Sequence, residues 1–88
     1  MNFEYDSKKS LINKDKHGID FEQAKLIWLN DNIILQALTV GEVRYMIIGH
    51  IGTKLFSCIF TMRGYKIRII SCRRSRNEES KIYYEKIS

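Results

Sequence analysis

Four apolar segments lie almost end to end in the second half of the chain, and the gaps between them are short. Residues 33–38, 43–49, 55–62 and 67–73 read as strands, with Gly41-Glu42, Gly52-Thr53 and Arg63-Gly64 as the turns between them. A parallel pairing needs a crossover of a dozen or more residues, and no gap here offers one. Consecutive segments must therefore pair antiparallel, which predicts a four-stranded antiparallel sheet.

The first third of the chain has a different period. Phe3-Glu4-Tyr5 alternates apolar and polar, as a short strand would. Asp6 or Ser7 can cap a helix over 7–16 with Leu11 and Ile12 as its buried stripe. Gly18 supplies a left-handed stop, with Lys16 and His17 in the last turn, where cations are favoured. Asp20 and Gln23 form a capping-box pattern. It opens a second helix with Phe21, Ala24, Ile27 and Trp28 on one face, and Asn30-Asp31-Asn32 ends it. After Arg76 a polar run leads into Ile82-Tyr83-Tyr84-Ile87, consistent with a C-terminal helix. The expected class is α+β, one domain over 1–88, with the helices at one side of the sheet.

If Arg63-Gly64 is a two-residue loop, Phe60 faces Ile67, Cys58 faces Ile69 and Phe56 faces Ser71. That face is the expected core. The other carries Leu55, Ser57, Ile59 and Thr61 beside Arg68, Ile70, Cys72 and Arg74, and a one-residue slip exchanges the two. Arg68 in an Ile-Arg-Ile-Ile run is either on an open face or locked to a carboxylate.

Charge is unevenly placed. Residues 1–62 hold seven basic and seven acidic side chains, whereas 63–88 hold eight basic and three acidic. The whole net charge of +5 sits in that last part, with five of the six arginines between 63 and 76. Arginine's planar fork matches phosphate, so a polyanion such as nucleic acid is the expected partner. A solvated face, or a site for an acidic protein, is the alternative. No apolar run approaches the roughly 20 residues that span a bilayer. The opening Met1-Asn2-Phe3-Glu4-Tyr5-Asp6 is acidic where a secretory leader is basic. Cytoplasmic location and no membrane partner are expected. Cys58 and Cys72, 14 positions apart with no CxxC, suit two buried free thiols, with a disulfide as the alternative, and no metal site.

Four strings in chain order resemble the BrnT toxin family, the ribonuclease half of a bacterial type II toxin–antitoxin pair. They are Phe3-Glu4-Tyr5-Asp6 with Lys9, Asn13 and Lys16-His17-Gly18-Ile19-Asp20-Phe21-Glu22-x-Ala24; Glu42-x-Arg44-Tyr45-x-x-Ile48-Gly49; Thr61-x-Arg63 with Ile67-Arg68-Ile69-Ile70-Ser71-Cys72-Arg73-Arg74; and Glu79-x-x-x-Tyr83. Tyr5, Cys72 and Ser80 stand where the family usually has tryptophan, alanine and arginine. The resemblance implies a RelE-like toxin fold and metal-independent RNA cleavage that inhibits translation, with no cofactor. It also implies neutralisation by a BrnA-type ribbon-helix-helix antitoxin in a heterotetramer, with promoter DNA bound only through that antitoxin.

Metal-independent cleavage uses the RNA 2′-hydroxyl as nucleophile. It needs a base for that proton, cations for the phosphorane and a proton donor for the leaving oxygen. Arg63 at a turn and Arg73 at a strand end are the first candidates for charge stabilisation, with Arg44 and Arg68 on the same sheet. His17 is the candidate proton-transfer residue in the matched strings, or else a helix-ending residue. Lys16, Lys66, Arg74 and Tyr83 are candidates for RNA contact, Tyr83 by stacking on a base. His50 matches nothing and is expected to be structural. A non-catalytic small basic binding module is the competing reading.

Overall fold

Cap and turn residues fall where the elements end. In a computed structural model, which describes residues 1–37 and 40–88, the Asp6 carboxylate accepts from the Lys8 and Lys9 N–H groups and starts α1 (Ser7–His17). Gly18 ends that helix at φ +76°, in the left-handed region that glycine reaches without strain. The Asp20–Gln23 capping box opens α2 (Phe21–Ala24), which tightens into a 3-10 segment (Lys25–Leu29). The strands are β1 (Asn2–Glu4), β2 (Asn32–Ala37), β3 (Arg44–Ile51), β4 (Lys54–Arg63) and β5 (Lys66–Arg74), and α3 (Asn77–Ile87) closes the chain. Residue 38, the last of the first expected strand, lies outside the described residues.

The sheet order is β1-β5-β4-β3-β2. The four expected strands pair antiparallel, as their short connections require. The N-terminal strand corrects the rest of that expectation. β1 adds beside β5 in parallel, Phe3 opposite Ile67 and Glu4 opposite Arg68, so the sheet is five-stranded and mixed. No short loop joins β1 to β5, and their relative direction was open.

One face of the sheet, the packed face, is covered by α1, α2 and the 3-10 segment. Phe21, Ala24, Ile27, Ile47, Cys58 and Cys72 are fully buried there, with Phe60 and Ile69 nearly so. Trp28 lies edge-on to Phe3 and Phe60. Gly49 makes room for this layer: a Cβ there would stand 3.0 Å from the Asp31 carbonyl oxygen and from Ile27 Cγ2. α3 does not join the other helices. It packs against β2 and β3 on the opposite face, where Ile48, Leu55 and Tyr83 form a second, smaller core. The helices are thus on both sides of the sheet.

Helix α1 also departs from its pattern. Leu11 and Ile12 are 72% and 60% exposed, while Ser10 and Asn13 are the buried pair. Asn13 donates through Nδ2 to the carbonyls of Ile19 and Cys72 and accepts from the Cys72 N–H. Ser10 Oγ accepts from the Phe21 N–H. The helix is seated by main-chain hydrogen bonding along the free part of β5, not by an apolar stripe.

Candidate nucleic-acid interface

The β4–β5 hairpin turns at Gly64-Tyr65, one position later than expected, so Arg63 pairs with Lys66 and Phe60 with Ile69. A shift of two in register keeps the faces. Then Ile70 enters as an extra residue: Ile59 pairs with Ser71 while the next residue, Phe60, pairs with Ile69. This bulge reverses the alternation for the remainder of β5. Cys72 turns into the packed face opposite Cys58, and Arg73 turns out opposite Ser57. The expectation that Cys72 and Arg74 share a face with Arg68 is thereby corrected. Arg74 instead lies on the packed side with its guanidinium 5.9 Å from the Phe56 ring centre.

The consequence is that Arg44, Arg63, Lys66, Arg68 and Arg73 all fall on one face, the one α3 covers only in part. The fully exposed members are Arg63 and Lys66, beside the turn. Arg44 is paired with Glu42 at 3.0 Å and Arg68 with Glu4 at 2.7 Å. The two readings of Arg68 are both realised: it lies on an open face and is tied to a carboxylate from the neighbouring strand.

Arg73 is the most firmly placed. Its Nη1 and Nη2 donate to Glu79 Oε1 and Oε2 at 2.9 and 2.8 Å, a bidentate pair. Glu79 also accepts from the Ser57 hydroxyl at 2.8 Å and the Arg76 N–H at 3.0 Å. Partial burial by itself would push the Glu79 carboxyl up. Arg73, the Arg76 N–H and Ser57 outweigh it and hold the carboxyl down to about 2. The same pairing raises the Arg73 guanidinium further above its usual range. Glu79 and Ser57 had no role in the sequence reading. Glu79 stood in a matched string, but only the bulge brings Arg73 round to it.

The remaining candidates are spread more widely. Lys16 and His17 are exposed at the end of α1, and no hydrogen bond or ion pair among the described residues joins His17 to an arginine. Tyr83 is 3% exposed and its hydroxyl donates to the Asp31 carbonyl at 3.2 Å. A buried ring cannot receive a base, so the stacking role expected for Tyr83 gives way to packing. Tyr84, 54% exposed, is the open tyrosine of that pair. His50 stands between the two hydroxyls, with Nδ1 3.3 Å from Tyr83 and Nε2 3.4 Å from Tyr84. It borders a depression of about 380 Å³ with Asn30, Asp31 and Gly52. A second depression, about 270 Å³, lies by Tyr5 and Leu11. Neither of these two depressions is lined by an arginine of the sheet face. Among the described residues no three of His, Cys, Asp and Glu gather as metal ligands. Cys58 and Cys72 are buried and free, and burial, then the neighbouring Cys72 thiol, pushes the Cys58 thiol well up.

One exposed arginine and three ion-paired, partly buried ones on a single sheet face suit phosphate recognition. The family model for the ribonuclease toxin BrnT of type II toxin–antitoxin systems matches residues 5–79. The chain belongs to the BrnT family. It is accordingly a ribonuclease toxin of a type II toxin–antitoxin system, and its partner is a protein antitoxin. The BrnT match takes in all five candidate arginines and stops at Glu79, the residue that holds Arg73. Among curated proteins none matches the chain. No described helix is long and apolar enough to cross a membrane.

Proposed function

We propose that this chain is a metal-independent endoribonuclease that cuts RNA on the open face of its sheet, in the cytoplasm, and so inhibits translation. The observation that supports the reading is the common face of Arg44, Arg63, Lys66, Arg68 and Arg73 created by the register and bulge of β5. Arg63 stabilises charge on the phosphorane from the exposed turn, while Arg73, clamped on Glu79 six β4 positions away, or about 20 Å along the strand, holds a phosphate further along the RNA. Arg44 and Arg68 extend the positive field along the face, and Lys66 holds a flanking phosphate; Arg74, on the packed side, takes no part there. α1 lies on the packed side of the sheet, so Lys16 and His17 at its end stand away from this face, and the proton-transfer role expected for His17 is not carried over to it. At about 2, Glu79 is a carboxylate throughout the physiological range; it orients Arg73 and accepts no proton. The antitoxin is of the BrnA type, with a ribbon-helix-helix domain. It joins two toxin chains in a heterotetramer and carries the contact with promoter DNA.

The test is incubation of the antitoxin-free chain with protein-free RNA in excess EDTA, followed by sequencing of the ends. Cuts ending in cyclic phosphates, lost in Arg63→Ala and Arg73→Ala, support the reading. Cleavage only on ribosomes keeps the residues and changes the substrate. Intact RNA that is nonetheless bound, with ribosomes present or absent, overturns it in favour of a binding module.

A further inference from the structure

The two edges of the sheet are finished differently. On one side β1 is three residues long, and beyond it Asn13 occupies the N–H and carbonyl of Cys72. On the other side lies β2, six residues long, and among the described residues nothing pairs with its outer edge. Exposed edges are normally guarded by charge, proline or a bulge. Asn32-Ile33-Ile34-Leu35-Gln36-Ala37 has no charge and no proline, and it pairs one-to-one with β3 without a bulge. Ile34 is 52% exposed on it. The elements seated over β3 and β2 add exposed Leu29 and Ile87, at 72% and 43%. Such an edge is a template for another strand.

We propose that this edge pairs with β2 of a second copy of the chain, antiparallel, about a two-fold axis through Ile34. A two-fold normal to the sheet keeps each face continuous, so residues of like parity must meet. Centring on Ile34 sets Ile34 against Ile34, Ile33 against Leu35 and Asn32 against Gln36. Apolar side chains meet apolar ones and amides meet amides from Asn32 to Gln36, and Ala37 falls opposite Asp31 just outside the strand. Centring on Ile33 or on Leu35 instead sets Ile34 against Asn32 or Gln36. Asn32 already donates its Nδ2 to the Ile27 and Asn30 carbonyls, which leaves its side-chain oxygen to accept from Gln36 of the second copy. Charge permits the approach. β2 is neutral, Arg44 opposite Ala37 on β3 is balanced by Glu42, and the other arginines of the face lie on β4 and β5. The product is one ten-stranded sheet with the two arginine faces on the same side.

The test is sedimentation equilibrium of the full chain without antitoxin. Wild type sediments as a concentration-dependent dimer of twice its 10.4 kDa mass. Ile34→Lys and Ile34→Glu, each on an exposed side chain, each weaken the dimer at least tenfold. Mixed together, they re-form a heterodimer, because the two side chains meet on the axis. This rescue also separates a lost interface from a misfolded variant. A wild type that stays monomeric to millimolar concentration overturns the proposal. So does a dimer indifferent to both substitutions. Protection of β2 amides from hydrogen exchange only when antitoxin is added assigns the edge to the antitoxin instead, and overturns the proposal too.

Discussion

Adjacent residues of the same strands have opposite fates on the two faces of the sheet. On the packed face Ile47, Cys58, Phe60, Ile69 and Cys72 are sealed beneath three helical segments. One position along, Ile59, Arg68, Ser71 and Arg73 keep access to solvent, because α3 covers only the β2–β3 side of that face. The packed face supplies the core that holds the sheet, and the open face presents the guanidinium groups to which the proposed cleavage assigns the chemistry. On that proposal stability and chemistry are divided by the period of a β-strand, and the bulge at Ile70 is where β5 changes sides.

Substitutions can break that division. Phe60→Ala, which empties the centre of the packed face, is expected to destabilise by about 3–5 kcal/mol in urea unfolding. Arg63→Ala should leave stability within about 0.5 kcal/mol of wild type, since Arg63 is exposed. The same change should lower RNA cleavage about 10²–10³-fold, roughly 3–4 kcal/mol in the barrier. If Arg63→Ala proves as destabilising as Phe60→Ala, or leaves cleavage untouched, the division fails.

Glu79 tests the border between the faces. Glu79→Gln leaves Arg73 half-buried without its counter-ion and should cost about 1–2 kcal/mol. The native carboxyl sits at about 2, against 4.5 for the free group. A depressed carboxyl contributes stability above its unfolded value, and the contribution is lost as pH falls through the folded one. Wild type should therefore lose more stability between pH 4.5 and 2 than Glu79→Gln does, as acid titration followed by circular dichroism will read. Parallel curves would remove Glu79 from the account. A smaller effect is expected at the start of α1. Asp6→Ala removes the cap of α1 and should cost about 1 kcal/mol in the same unfolding assay, with cleavage unchanged.

Local signals in the chain were strong where chemistry is local. The Asp6 cap, the Gly18 stop, the Asp20–Gln23 box and the apolar face of Phe21, Ala24 and Ile27 all lie within a few residues of what they specify. Leu11 and Ile12 misled, because apolar residues at helical spacing say nothing about main-chain groups elsewhere that need partners. Asn13 and Ser10 answer such a need at Cys72 and Phe21. For the candidate site, the arginines could be named from their types and their place in the matched strings. Their common face could not, since Arg73 shares it only through one inserted residue.

The sequence by itself determined the strands, their antiparallel succession and the concentration of arginine in the last part of the chain. Short loops and side-chain type leave no other choice there. Tertiary structure alone decided the parallel docking of β1, the seating of α3 on the second face and the turn of Arg73 toward Glu79. Each depends on contacts between residues far apart in the chain, or on a bulge that removes a hydrogen-bond pairing without changing the composition that would announce it.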